Sequence, residues 1–243
     1  MRLMLSLIAA IAPIFVASSG FAAPFIERDG RYEFNWTTGK VRFYGVSAAS
    51  QDDENFRSAE QSAWADGLKS AERHLPVILA NRLGKVEQVK VDRISKLAQS
   101  TISVSTTYFG DKRVKVLLEA SLQKMTPQLV SVGNDGVSSV NDLTPVTIKL
   151  PKGAMPSAFV HIIDEHGRDM LRPSEIVAAA HAGAPLAKWY RHEASGTESA
   201  LAVEQTVINA ETSERGVIRV KSAEWKPAFA SAVSHGKASF IVQ

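Results

Sequence analysis

The chain of 243 residues contains no cysteine. That absence excludes disulfides, thiolate metal sites, iron–sulfur clusters and cysteine nucleophiles, so stability has to come from a packed core. It also excludes the usual bacterial lipid anchor, which is attached to a cysteine at the cleavage site. Motifs of chemistry are missing too. There is no Gly-x-Ser-x-Gly elbow, no Gly-rich phosphate loop of either common type and no His-Glu-x-x-His pair. The net charge is only +3, with Lys and Arg interspersed among Asp and Glu. No basic cluster is dense enough to follow a phosphate backbone, which argues against a nucleic-acid partner. After residue 23 no apolar run approaches the roughly 20 residues that a bilayer span requires.

What is present starts at the N-terminus. Arg2 is a short positive region, Leu3 to Val16 is almost wholly apolar, and Ser18, Ser19 and Gly20 break the run. Gly20-Phe21-Ala22 then places small residues at the two positions a signal peptidase reads. The expectation is a signal peptide over 1–22, cut after Ala22, and a periplasmic location. Cutting after Ala23 would put Pro24 just past the scissile bond. The alternative, an uncleaved membrane anchor, fits the small-residue end of the run less well. Removing Arg2 lowers the net charge by one, so the surface carries no strong basic excess.

The remaining chain of about 220 residues suits one large domain or two small ones. Tyr32, Phe34 and Trp36 alternate with polar residues, Thr37-Thr38-Gly39 is a turn, and Val41, Phe43 and Val46 continue, which predicts a hairpin. Phe56, Ala59, Ala63, Gly67, Leu68, Ala71 and Leu75 recur at helical spacing after a cap at Asp52 or Asp53, and Pro76 is expected to kink or end that helix, with Val77 to Leu83 open to resuming it before Gly84. Its small residues would let it lie close to a sheet. A second helix is expected over 91–101, and strands over 103–109 and 114–122 around the turn Gly110-Asp111-Lys112.

Residues 126–143 have linker composition. Beyond them, strands are expected at 146–150, 158–163, 186–190, 217–220 and 238–242, with a helix over 223–234 ended by Gly236. Residues 199–210 are ambiguous between helix and strand. The fold class is therefore α+β, with two small modules (23–125 and 144–243), each an antiparallel or mixed sheet packed with helices.

The densest group of titratable residues is His161, Asp164, Glu165 and His166. The spacing of His161, Asp164 and His166 could supply metal ligands, or a base with its orienting acid. The context favours a hairpin turn, since Asp and Gly have backbone reasons to occupy one. His74, His181, His192 and His235 are isolated. No catalytic residue, cofactor or metal is expected. Trp64 and Trp189 are candidates for stacking on a sugar, although Trp at periodic positions usually packs a core.

The run Val41-Arg42-Phe43-Tyr44-Gly45-Val46, followed by the Ala-rich helix Arg57 to Leu68, resembles the LPP20-like domain of bacterial envelope lipoproteins. It is also similar to the related N-terminal domain of the flagellar protein FlgT. Gly153 to Arg168, with Pro156 before a strand and Asp164-Glu165-His166-Gly167-Arg168 after it, is similar to a segment that follows such domains, and Lys221 to Val242 to the family's closing helix and strand. The sequence departs from that pattern in lacking the lipid-bearing cysteine and in having Leu150-Pro151-Lys152 where an acidic residue and Arg are common.

The resemblance implies a structural or assembly role in the envelope or flagellum and no catalytic residues. The partners it implies are other envelope or flagellar proteins, with peripheral association to the outer membrane or peptidoglycan. The alternative reading is a periplasmic binding module for glycan or another small ligand.

Overall fold

Polar–apolar alternation at residues 32–46 and 114–122 builds the first sheet of the chain, seen here in a computed structural model that describes residues 21–48, 56–82, 101–124, 145–193 and 206–243. The first half runs β1 (Phe21–Pro24), β2 (Ile26–Asp29), β3 (Tyr32–Asn35), β4 (Lys40–Val46), α1 (Phe56–Arg82), β5 (Ile102–Tyr108) and β6 (Val114–Ser121). Strands β2-β3-β4-β6-β5 pair antiparallel in that order. One face carries Phe34, Val41, Phe43, Val116 and Leu118, all buried. The other carries a charged row in register across four strands, where Arg28, Glu33, Arg42 and Glu119 pair in sequence. Burial tends to raise the Glu119 carboxyl, but the hydrogen bonds and charges of Lys40 and Arg42 outweigh it and hold the group below its usual range.

Helix α1 lies on the apolar face through Ala59, Ala63, Gly67 and Ala71, the small-residue stripe read from the sequence. Gly45 makes the approach close enough for backbone to touch backbone. A Cβ on Gly45 would stand 1.9 Å from the Ala63 carbonyl oxygen and 2.4 Å from the Gly67 nitrogen. One expectation about α1 needs correction: Phe56 belongs to the helical pattern but is half exposed, packing edge-on against Tyr108. Of the outcomes open at Pro76, the structure shows the helix running on through it to Arg82. The carbonyl that loses its donor belongs to solvent-exposed Glu72, while Leu75, Ile78 and Leu79 are buried on either side of the proline and hold the last turns in place.

The second half contains β7 (Val146–Leu150), β8 (His161–Ile163), β9 (Asp169–Leu171), α2 (Pro173–His181), β10 (Lys188–Glu193), β11 (Thr206–Asn209), β12 (Glu211–Glu214), β13 (Val217–Arg219), α3 (Pro227–Ser234) and β14 (Ala238–Val242). A mixed sheet has the order β1-β10-β14-β7-β11, parallel from β10 to β11, and a smaller one has the order β12-β13-β8-β9. The expected strand over 158–163 is regular only from His161, although Ala158, Phe159 and Val160 are buried. The expected helix over 223–234 starts at Pro227, preceded by a 3-10 turn at Ser222–Glu224. Proline forces Lys226 into an extended conformation (φ −110°, ψ 146°) and itself fits the first helical position.

The chain is α+β with several sheets. The two halves also share one core. Phe21–Pro24 is an edge strand of the second sheet, paired with Tyr190–Glu193. A cut after Ala22 leaves that strand Ala23 and Pro24. One continuous hydrophobic cluster contains Phe34 and Trp36 from the first half and Trp189 and Phe240 from the second. Polar links cross the same seam. Thr37 Oγ accepts the Phe25 N–H and donates to the Trp189 carbonyl, and Gln123 bridges Ala184 and Leu186. The expected linker, the cap at Asp52 or Asp53, and the helix over 91–101 apart from Thr101 lie outside the described residues. Among the described residues no helix is long and apolar enough to cross a membrane.

Candidate functional site

The turn Asp164-Glu165-His166-Gly167 joins β8 to β9, and Gly167 supplies the positive φ (82°) that the turn needs. The Asp164 side chain is inaccessible to solvent. Its Oδ1 accepts the N–H groups of His166 and Arg168, each at 2.8 Å, and its Oδ2 accepts from Arg168 Nε at 2.6 Å. Burial pushes this carboxyl up, and the hydrogen bonds from Arg168 and His166 more than offset it, so the group sits below its ordinary range. Oδ1 of Asp164 therefore serves the backbone of its own turn, and Oδ2 holds the Arg168 side chain.

His161 meets a different carboxylate. Its Nε2 lies 2.8 Å from Asp169 Oδ1, and Asp169 Oδ2 accepts from Arg172 Nε at 2.8 Å. The hydrogen bond from His161, then the one from Arg172, lowers the Asp169 carboxyl. Sequence reasoning passed over Asp169 because no short spacing motif links it to His161. The two meet only because β9 folds back on β8. His166 stays exposed, 3.8 Å from Glu165. His161, Asp164 and His166 are thus not assembled as a ligand set, and among the described residues no group of three His, Asp or Glu could hold a metal.

Glu165 clips the turn to the 3-10 turn at Ser222. Its two oxygens accept the Ser222 N–H and Oγ–H, each at 2.7 Å, and these bonds hold its carboxyl down to about 2. Because the folded value lies below the ordinary 4.5, the contribution of Glu165 to stability is complete above 4.5 and is lost as pH falls through about 2. In urea titrations, the midpoint difference between wild type and Glu165→Gln should be constant above that window and shrink steadily within it. A difference that does not change with pH would contradict this assignment.

Glu165 also forms one wall of a cleft of about 300 Å³ that includes Asn209, Glu211, Arg219 and Lys221. Glu211 and Arg219 face each other across the β12–β13 ladder. The residues lining the cleft bring charge but no hydroxyl, thiol or imidazole. The cleft is not legible in the sequence because its lining joins three segments separated along the chain, at Glu165, at Asn209 to Glu211 and at Arg219 to Lys221.

The tryptophans divide clearly. Trp189, a stacking candidate from the sequence, is 1% exposed, stacked on Phe240 at 4.5 Å, and donates its indole N–H to the Ser157 carbonyl at 3.1 Å. Its ring has no open face, so the stacking role is corrected to a core role. Trp64, on α1, is 43% exposed.

The surface that sequence reasoning missed lies at the outer edge of the first sheet. All seven residues of β5 are exposed. Ile102, Val104, Tyr108 and Phe109 are joined at that edge by Phe56 from α1, which meets the Tyr108 ring at 5.3 Å, with Val46 exposed at the end of β4. The Tyr108 hydroxyl donates to Glu60 Oε1. Among the described residues β5 has a strand partner on one side only. The available signal was the composition of residues 101–110, which hold no charge, no proline and several β-branched and aromatic residues. No family model matches the chain, and no curated protein matches it.

Proposed function

We propose that this chain is a non-catalytic periplasmic protein of the cell envelope with a structural or assembly role, at the outer membrane or the flagellar base. The observation that carries the reading is the uncharged, fully exposed edge strand β5, flanked by Phe56, Val46 and Phe109. Monomers rarely leave such an edge open, because its unpaired backbone groups and apolar side chains invite another chain. The groups best suited to chemistry have structural tasks. Asp164 and Glu165 hold turns, and His161 is paired to Asp169. The leader-like segment over 1–22 supports export, and the resemblance of the first half to envelope and flagellar domains supports the setting. The one-sided strand pairing of the edge fits a protein partner, and of the two tryptophans that could stack on a sugar Trp189 is buried while Trp64 is exposed.

Fractionation of the host followed by cross-linking and mass spectrometry tests the proposal. Recovery in the envelope, cross-linked to envelope or flagellar proteins, is the expected result. Recovery as a soluble species with no cross-linked neighbour would overturn the assembly role.

A further inference from the structure

We propose that β5 is the contact through which two copies of this chain associate, pairing antiparallel with β5 of the second copy to join two first sheets into one. The inference rests on the reading of this edge as an assembly face, and names its occupant.

The ladder geometry selects the register. The Phe109 N–H bonds to the Arg113 carbonyl, on the β6 side. Successive residues of a strand direct their backbone groups to opposite sides, so Thr107 also points toward β6, while Thr106 and Tyr108 point to the open edge. Thr106 and Tyr108 share the α1 face, opposite Val116 and Val114. A two-fold axis through Thr107 therefore sets Thr106 of each copy against Tyr108 of the other. The facing residues lie on the same side of the sheet, and their N–H and C=O groups are aimed at each other. An axis through Thr106 would instead set Tyr108 against Val104, where a bulge between Ser103 and Ser105 disrupts the strand.

Charge allows the same arrangement. An isologous contact brings each residue near its own copy, so a charged strand would repel itself. Residues 101–110 carry no charge, so the facing stretch from Thr106 to Tyr108 brings no like charges together. On the α1 face the pairing covers Tyr108 and the Phe56 ring beside it, two of the most exposed aromatics. The edge also lacks the lysine or proline that commonly guards an open strand.

Sedimentation velocity on the purified full chain tests the inference. Wild type should be a dimer. Thr107→Glu places two carboxylates together at the axis while gaining Lys115 as a cross-strand neighbour within its own sheet, and should be a folded monomer. Thr107→Lys should also be monomeric, and an equimolar mixture of the two variants should restore the dimer. A monomeric wild type at every concentration reached would overturn the inference, as would a Thr107→Glu variant that stays dimeric. If wild type is monomeric but cross-links at this edge to a different envelope protein, the self-association fails and the assembly reading stands.

Discussion

Replacing Gly45 with alanine should lower the stability of the chain by about 3 kcal/mol or more, read as a fall in the urea midpoint. The added methyl would enter the backbone of α1, 1.9 Å from the Ala63 carbonyl oxygen and 2.7 Å from the Gly67 Cα. Neither group can swing aside as a side-chain tip can. Relief requires α1 to lift from β4 and β6, which opens the buried contacts of Ala59, Ala63 and Leu118 together. Gly67→Ala is the matched control. Its Cβ would meet Leu118 Cδ1 at 2.9 Å, the end of a side chain with other rotamers, and alanine is favoured over glycine inside a helix by about 1 kcal/mol. Its net effect should stay within about 1 kcal/mol of wild type. Equal losses at the two positions would show that the helix does not depend on the Gly45 approach.

Trp189→Ala should cost about 3–5 kcal/mol. The indole is fully enclosed, stacks on Phe240 and satisfies the Ser157 carbonyl. It sits where β10 meets the first half, with the Trp189 carbonyl accepting from Thr37. The loss should therefore loosen both halves in one transition, followed by far-ultraviolet circular dichroism and by the fluorescence of the remaining tryptophans. Two separate transitions in wild type would contradict a shared core.

Both results bear on what could be read from residues alone. Strands β3, β4 and β6 alternate because one face is apolar and the other carries Glu33, Arg42 and Glu119, so their periodicity was visible even with Tyr44 and Leu117 on the charged face. The small-residue stripe on α1 was visible for the same reason. Helix α2 was not, because Ile176 to Ala180 is an unbroken buried run without a polar face to mark its period. Strand β9 has three residues, too few to show alternation, whereas β8 and β13 fall inside the strands expected over 158–163 and 217–220. The parallel pairing of β10, β14, β7 and β11 joins distant segments, and no local pattern encodes that order. The same non-local folding brings His161 to Asp169 and Glu165 to Ser222. The exposed edge was hidden differently: Ser103 to Phe109 read as a strand, but its edge position follows only from its neighbours.

The central claim, that the β5 edge is where this protein meets its partners, is tested most directly by photo-cross-linking in the native envelope. A photoreactive phenylalanine analogue would replace Phe109 at that edge in one strain, and Met155, more open to solvent but in the second half, in another. The account predicts a discrete adduct from position 109 and none from position 155. Adducts from 155 with none from 109 would place the contact elsewhere and contradict it.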